Sequence, residues 1–173
     1  LVLIIGKTEG HIDQSLFART ILDEKNGPPP EVNLFNEKNN GETILNLIDK
    51  GYVKSAHDIS LGGLLVAISK MCIKGNKGIK ISKSKNLVNE IEYFFAEDQG
   101  RYLIEVNKDD LKEVTKILNK NSVHHEELGI ITQNDMIINE KTKVTIDELK
   151  SYYTNWLFKY MSCLLYTSDA ADE

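Results

Sequence analysis

Residues 53–72, which read VKSAHDISLGGLLVAISKMC, constrain the fold of this chain more than any other stretch. Val53 and Ala56 suit a short buried strand, and a polar turn and a pair of glycines follow. From Leu61 onward the apolar residues recur at helical spacing, which predicts an amphipathic helix with one apolar face. That face consists of Leu61, Leu64, Leu65, Ile68, Met71 and Cys72.

The predicted start of this helix is a candidate phosphate site. Ser60 is the expected N-cap, because its hydroxyl can accept a hydrogen bond from the first turn. Gly62 and Gly63 each lower helix propensity by about 1 kcal/mol relative to alanine, a cost that suits a backbone which a ligand must approach closely. Free N–H groups at a helix start bind anions, and Asp58 could hold a hydrated Mg²⁺ beside the phosphate. The alternative is that Asp58 and Ser60 only cap the helix and that His57 is a turn residue.

A second polar cluster lies in residues 94–102, which read FFAEDQGRY. Glu97, Asp98, Gln99 and Arg101 stand between two apolar segments, where a turn leads into a strand. Such a cluster can present hydrogen-bond donors and acceptors to a ligand. A solvated turn with Arg101 paired to a carboxylate is the alternative, and the sequence leaves both open.

The rest of the chain predicts an α+β fold, because strands and helices alternate irregularly. Strands are expected at 1–5, 78–81, 101–106 and 144–146, and a hairpin is expected to pair 128–132 with 136–138. Helices are expected at 16–22, 36–50 and 107–119, with Asn107 as the cap of the last and Gly51 after the second. Residues 89–95 suit either a helix or a strand.

The final helix carries an aromatic stripe. Thr145 and Glu148 have the spacing of a capping box at its start. The stripe consists of Leu149, Tyr152, Tyr153, Trp156, Leu157 and Tyr160. Large apolar residues at helical spacing usually face a core, so core packing is expected here rather than ligand binding.

Composition excludes several classes of protein. The formal charge of −5 and the lack of a basic stripe argue against nucleic-acid binding. No apolar run approaches the roughly 20 residues that span a bilayer, so no membrane partner is expected. Two cysteines form neither a disulfide framework nor a metal-binding pattern. A reducing cytoplasm is therefore the expected compartment.

Two segments suggest boundaries. The prolines in residues 26–30, which read NGPPP, suggest a linker. Residues 1–30 are thus interpreted as the end of a preceding domain with its linker, and 31–162 as the main domain. The first strand is then expected to lack sheet partners and to be prone to aggregation. Residues 163–173, CLLYTSDAADE, look like a translated sequencing adapter and are interpreted as non-native.

Together, four motifs resemble one enzyme family. They are LVLIIGKTEGHIDQS at the start, SAHDISLGGL, FFAEDQGRY, and ELKSYYTNWLFKYM near the end. In this order they resemble the C-terminal part of the synthetase subunit of small bacterial phosphoribosylformylglycinamidine synthases, which are related to aminoimidazole ribonucleotide synthetase. The resemblance covers residues 1 to about 162.

The resemblance implies an ATP-dependent ligase of purine biosynthesis. Such an enzyme converts formylglycinamide ribonucleotide to formylglycinamidine ribonucleotide with ATP, Mg²⁺ and ammonia. A glutaminase subunit supplies the ammonia, usually with a small third subunit. The implied fold is the C-terminal domain of aminoimidazole ribonucleotide synthetase-like proteins, a mixed sheet covered by helices. The family's catalytic histidines and most Mg²⁺–ATP ligands precede this part, so no catalytic residue is expected here.

The family's subunit is an internal duplication, and this chain resembles its second half. By analogy with the first half, Asp58 is expected to bind Mg²⁺, and Glu97, Asp98 and Gln99 are expected to bind substrate. The chain departs from the pattern at Leu61, where an acidic residue is usual, and at Asp98, where serine is usual. These changes weaken a cation site and a phosphate site respectively. A stand-alone nucleotide- or phosphate-binding module without catalysis is the alternative function.

Overall fold

A computed structural model of the chain describes residues 1–81 and 89–168. The helices are α1 (Leu16–Thr20), α2 (Leu34–Asp49), α3 (Gly63–Gly75), α4 (Glu90–Phe95), α5 (Leu111–Lys120) and α6 (Ile146–Ser168). The strands are β1 (Val2–Ile5), β2 (Val53–Asp58), β3 (Gly78–Ile81), β4 (Tyr102–Val106), β5 (His125–Thr132), β6 (Asp135–Ile138) and β7 (Thr142–Thr145). Within these residues the strands form one sheet in the order β2-β4-β1-β5-β3-β6-β7. The only parallel pair in it is β3 with β6, so the predicted α+β class with a mixed sheet is confirmed.

Strand β1 lies in the middle of the sheet. Leu3, for example, pairs with Ile104 of β4 on one side and with Glu127 of β5 on the other. All four residues of β1 are at most 2% exposed. The assignment of this strand to a preceding domain is therefore wrong, as is the expectation that it lacks partners. A strand covered on both faces has a continuous apolar sequence, which does not reveal the neighbours beside it.

The segment that follows β1 also packs on this domain. The ring of Phe17 in α1 stacks on Phe95 in α4, with ring centroids 4.7 Å apart, and Ala18 is buried. The proline segment 26–30 thus connects α1 to α2 within the same body. Prolines stop a helix and extend the chain equally well in a surface loop and in a linker.

Helices cover both faces of the sheet, and the alternation of β1 divides the core in two. Val2 and Ile4 point toward α3, where the first core includes Leu64, Ile68 and Leu103. Leu3 and Ile5 point the other way, toward α2 and α5. There the second core includes Ile44, Leu47, Val114 and Leu118. The predicted sheet covered by helices is therefore confirmed.

The predicted hairpin of 128–132 with 136–138 is wrong, because β3 lies between these two strands. β3 pairs antiparallel with β5 and parallel with β6. The short turn between β5 and β6 passes the start of β3 at Gly78, where a side chain would collide with Thr132 and Asp135. Two strands joined by a two-residue turn normally pair with each other, so a third strand between them could not be predicted from the turn.

The core packing expected for the stripe on α6 is also wrong for most of its members. Leu149 packs against the first core, but Tyr152, Tyr153, Trp156, Leu157 and Tyr160 are between 52% and 76% exposed. The capping box at the start of α6 is confirmed, since the Glu148 amide donates to Thr145 Oγ1 and the Thr145 amide to Glu148 Oε2. Residues 169–173 lie outside the described part, and the non-native origin of 163–173 stays a prediction. Within the described ranges no helix has both the length and the apolar character to cross a bilayer.

Candidate functional site

The glycines of the first predicted site meet the second predicted site at one place, where the loop after β1, the start of α3 and residues 96–101 come together. Glu97 joins all three. Its Oε1 accepts hydrogen bonds from the backbone N–H groups of Leu16 at 2.7 Å and Gly62 at 2.8 Å. Its own N–H donates to the His11 carbonyl at 3.1 Å. One carboxylate therefore occupies the start of two helices, where negative charge is favourable.

The start of α3 differs from its predicted form. Ser60 is not the N-cap; Gly62 holds that position in the left-handed region at φ +86° and makes no side-chain cap. The Ser60 carbonyl instead accepts from Gly63 N–H at 2.9 Å. The N–H of Gly62, which was expected to face a phosphate, donates to Glu97.

Gly63 is required by close packing. Its φ is +69°, and a Cβ there would lie 2.7 Å from the Ala96 carbonyl oxygen. The missing side chain lets α3 lie directly against the end of α4. The glycine pair thus has a structural explanation, and its role in phosphate binding stays a prediction.

Asp98 holds the loop after β1. Its carboxylate accepts the backbone N–H groups of three consecutive residues: Glu9 at 3.1 Å, Gly10 at 3.2 Å and His11 at 3.0 Å. Successive N–H groups that converge in this way form an anion-binding concavity. In this chain the anion is a side chain of the protein itself, and that side chain is 8% exposed.

Arg101 is the third charged side chain of this network. It is 1% exposed, and it donates to Thr8 Oγ1 at 3.0 Å and to the Ala96 carbonyl. Its Nη2 lies 3.7 Å from the Asp98 carboxylate. Burial lowers the pKa of the Arg101 guanidinium, and the charge of Asp98 opposes that shift. The predicted pairing of Arg101 with a carboxylate is present, but it is buried rather than solvated.

Asp58 lies apart from this network. It is the last residue of β2 rather than part of a turn, its side chain is 63% exposed, and His57 Nδ1 lies 3.4 Å away. The described residues contain no group of three or more His, Cys, Asp or Glu side chains that could hold a metal. A lone carboxylate does not form a cage for Mg²⁺, although Mg²⁺ also binds through one carboxylate together with phosphate oxygens and water.

Gln99 faces a polar cavity of about 570 Å³. Beside it lie His11, Glu37 and His124, and Asn40 fixes the turn by donating to the Gly100 carbonyl at 3.0 Å. Sequence reasoning missed this cavity, because its walls come from the first loop, α2 and the segment before β5, far apart in the chain. Among the described residues, the carboxylates that line it are Glu9, Glu31, Glu37 and Asp98, against one lysine, Lys7, which is paired with Glu9. This acidic lining suits a neutral or cationic polar group better than a phosphate.

The chain matches the family model described as AIR synthase related protein, C-terminal domain, over residues 1–139. It therefore belongs to this family, as the motifs indicated. The match begins at residue 1, in agreement with the central place of β1 in the sheet.

Within this family the chain is similar to the subunit PurL of phosphoribosylformylglycinamidine synthase. It is 65% identical over 161 residues to that subunit from Pelagibacter ubique (strain HTCC1062), which is 93% of this chain and 22% of the relative. Two solved structures from Thermotoga maritima have the same fold. PurL complexed with FGAR has a TM-score of 0.71 at 21% identity and covers 86% of this chain and 27% of its own. PurLQS has a TM-score of 0.65 at 21% identity and covers 86% and 25%. The chain thus spans about a fifth of the length of the curated relative.

Proposed function

We propose that this chain is a domain of an ATP-dependent ligase of purine biosynthesis. The reaction converts formylglycinamide ribonucleotide to formylglycinamidine ribonucleotide with ammonia derived from glutamine. The observation that carries the proposal is the 65% identity to a PurL subunit over 161 residues. The Thermotoga maritima PurL structure with FGAR, which has the same fold, supports the substrate.

The contribution of this domain is proposed to be a scaffold for the substrate site. Asp98 and Glu97 accept hydrogen bonds from backbone N–H groups in the loop after β1 and at its end. Arg101 donates to the hydroxyl of Thr8 in the same loop, so the three side chains hold that loop in one shape. Gln99 is exposed at the polar cavity beside them, and its amide is the group best placed to contact a polar part of the substrate.

ATP does not fit the start of α3. Glu97 already takes the N–H group of Gly62, and a phosphate there would face that carboxylate. Asp58 belongs to no group of three or more His, Cys, Asp or Glu side chains that could hold Mg²⁺ in the described residues. ATP and Mg²⁺ are therefore proposed to bind the parts of the subunit outside this chain. The same geometry disfavours a stand-alone phosphate-binding module.

The partners are proposed to be a glutaminase subunit and a small third subunit. The solved structure from Thermotoga maritima is named PurLQS, a name that adds the letters Q and S to PurL, and it supports an assembly of more than one subunit. The proposed compartment is the cytoplasm.

A chimeric subunit tests the proposal. Residues 1–162 replace the matching segment of the Pelagibacter ubique subunit, and ammonium salt replaces glutamine so that no glutaminase is needed. We expect ADP release that depends on formylglycinamide ribonucleotide, at a rate within tenfold of the unmodified host, about 1.4 kcal/mol in activation free energy. The host subunit without the segment is the control. A folded chimera without activity would contradict the proposal.

A further inference from the structure

Helix α6 uses its apolar face only at its beginning. Ile146 is 4% exposed, Leu149 packs against the first core, and Tyr153 lines an apolar cavity of about 940 Å³ next to α3. Lys150 fixes the same part of the helix by donating to Asn76 Oδ1 at 2.6 Å. Beyond Tyr153 every residue up to Met161 is exposed.

The apolar face continues into this exposed part. Three members of the aromatic stripe lie there: Trp156, Leu157 and Tyr160, which are 60%, 52% and 58% exposed. We call these three residues alone the aromatic strip. They follow Leu149 and Tyr153 at intervals of three and four residues, so all lie on one side of the helix. A contiguous apolar patch of this kind marks an interaction surface. The strip therefore extends the same helix face whose first part, at Leu149, packs against the core of this domain.

The comparisons show that the strip lies in a region shared with a much longer subunit. The match to the family model ends at residue 139, before α6 begins. The match to the PurL subunit covers 161 of the 173 residues, which leaves at most 12 outside it and includes residues 13–161 wherever it begins. The strip thus belongs to the region shared with full-length subunits, of which this chain represents 22%.

We propose that the aromatic strip docks on a part of the synthase subunit that lies outside these 173 residues. This inference rests on the proposed function, since it requires the longer subunit. The docking surface should be an apolar depression with hydrogen-bond acceptors for the indole N–H of Trp156 and the hydroxyl of Tyr160, since buried Trp and Tyr find such partners. Lys159 flanks the strip, so an acidic group is expected at the edge of that depression.

Photo-crosslinking in the full-length chimera tests the docking directly. The substitution Trp156→p-benzoylphenylalanine puts the crosslinker on the strip. Phe158→p-benzoylphenylalanine is the matched control, because Phe158 is 78% exposed on the opposite side of the helix. We expect position 156 to crosslink to host residues outside the grafted segment, and position 158 to give much lower yield. Crosslinks between two copies, or equal yields at the two positions, would overturn the inference.

A second measurement uses Trp156 as the single tryptophan of the chain. In the isolated 173-residue chain we expect long-wavelength emission that acrylamide quenches readily. Emission typical of a buried indole, in a chain that remains monomeric by light scattering, would mean that the strip is covered within this chain and would overturn the inference.

The two proposals fail separately. An active chimera with no preferential crosslink from position 156 refutes the docking and leaves the proposed function intact. An inactive chimera with that crosslink refutes the function and supports the docking. The double variant Trp156→Ala with Tyr160→Ala should lower the unfolding temperature of the chimera but not of the isolated chain, whereas Phe158→Ala should lower neither.

Discussion

Replacing Asp98 with alanine tests the role given to this carboxylate. The substitution leaves three backbone N–H groups without their acceptor and removes the anion nearest to Arg101, which is 1% exposed. Breaking a buried ion pair by removing one partner costs about 3–5 kcal/mol. Glu9 is exposed and Gly10 is half-buried, so water can reach this part of the loop, and the lower end of that range, about 3 kcal/mol, is expected.

Urea denaturation of the chain measures this loss, and a thermal scan should show a fall in Tm of about 6–12 °C for a domain of this size. Hydrogen exchange should also accelerate at the amides of residues 9–11, because Asp98 is their acceptor. Asp109→Ala, at an exposed site, is the control and should change the free energy of unfolding by less than about 0.5 kcal/mol. A loss below about 1 kcal/mol with unchanged exchange at residues 9–11 would refute the scaffold role.

Gly63→Ala should destabilise the chain by about 2–4 kcal/mol in urea, whereas Gly51→Ala, also at positive φ but with open space around it, should cost only about 1 kcal/mol; equal losses would contradict the close-packing argument. Burial raises the pKa of Cys72 to about 11, so in a Cys163→Ser background the native thiol should react slowly with a thiolate-specific reagent at pH 8, and rapid labelling without unfolding would be inconsistent with this burial. Because the folded pKa lies above the unfolded value, the thiol's contribution to stability is complete below about pH 9 and is lost as the pH rises toward 11. Deleting residues 1–30 should abolish cooperative unfolding followed by circular dichroism, because it removes the middle strand of the sheet; a truncated chain with a sharp transition would disprove that role.

Periodicity located most elements of this fold correctly. Most of the predicted apolar face lies in α3, which begins at Gly63, whereas Leu61 precedes the helix and is 58% exposed. Gly51 follows α2 at φ +76°. Residues 89–95, which the pattern left open, form a helix with a capping box between Asn89 and Glu92. Local patterns are informative where neighbours three or four residues apart determine the structure.

Caps and strand neighbours were predicted less well. Ser60 and Asn107 were both expected to cap helices, but Gly62 and Asp110 hold those positions. A side chain from elsewhere in the chain, Glu97, supplies the acceptor at the start of α3. Sequence spacing cannot reveal an acceptor that is 35 residues away, just as it cannot reveal which strands flank β1.

The candidate site, too, could be predicted only in part. The sequence identified the polar residues 97–101 as a unit, and the structure brings them together. The hydrogen-bond partners of Asp98 and Arg101 could not be predicted, because they lie in the loop after β1, about 90 residues earlier in the chain. Both alternatives, ligand binding and a solvated ion pair, assumed that these side chains are exposed, whereas Asp98 and Arg101 are buried.

In the proposed function, this domain supplies a scaffold and no nucleotide site of its own. Calorimetric titration of the folded 173-residue chain with Mg²⁺–ADP tests this most directly, with Asp58→Ala titrated in parallel. We expect no saturable heat from either protein, because Glu97 occupies the start of α3. Saturable binding by the chain that is lost in Asp58→Ala would contradict it and would identify a self-contained phosphate and metal site.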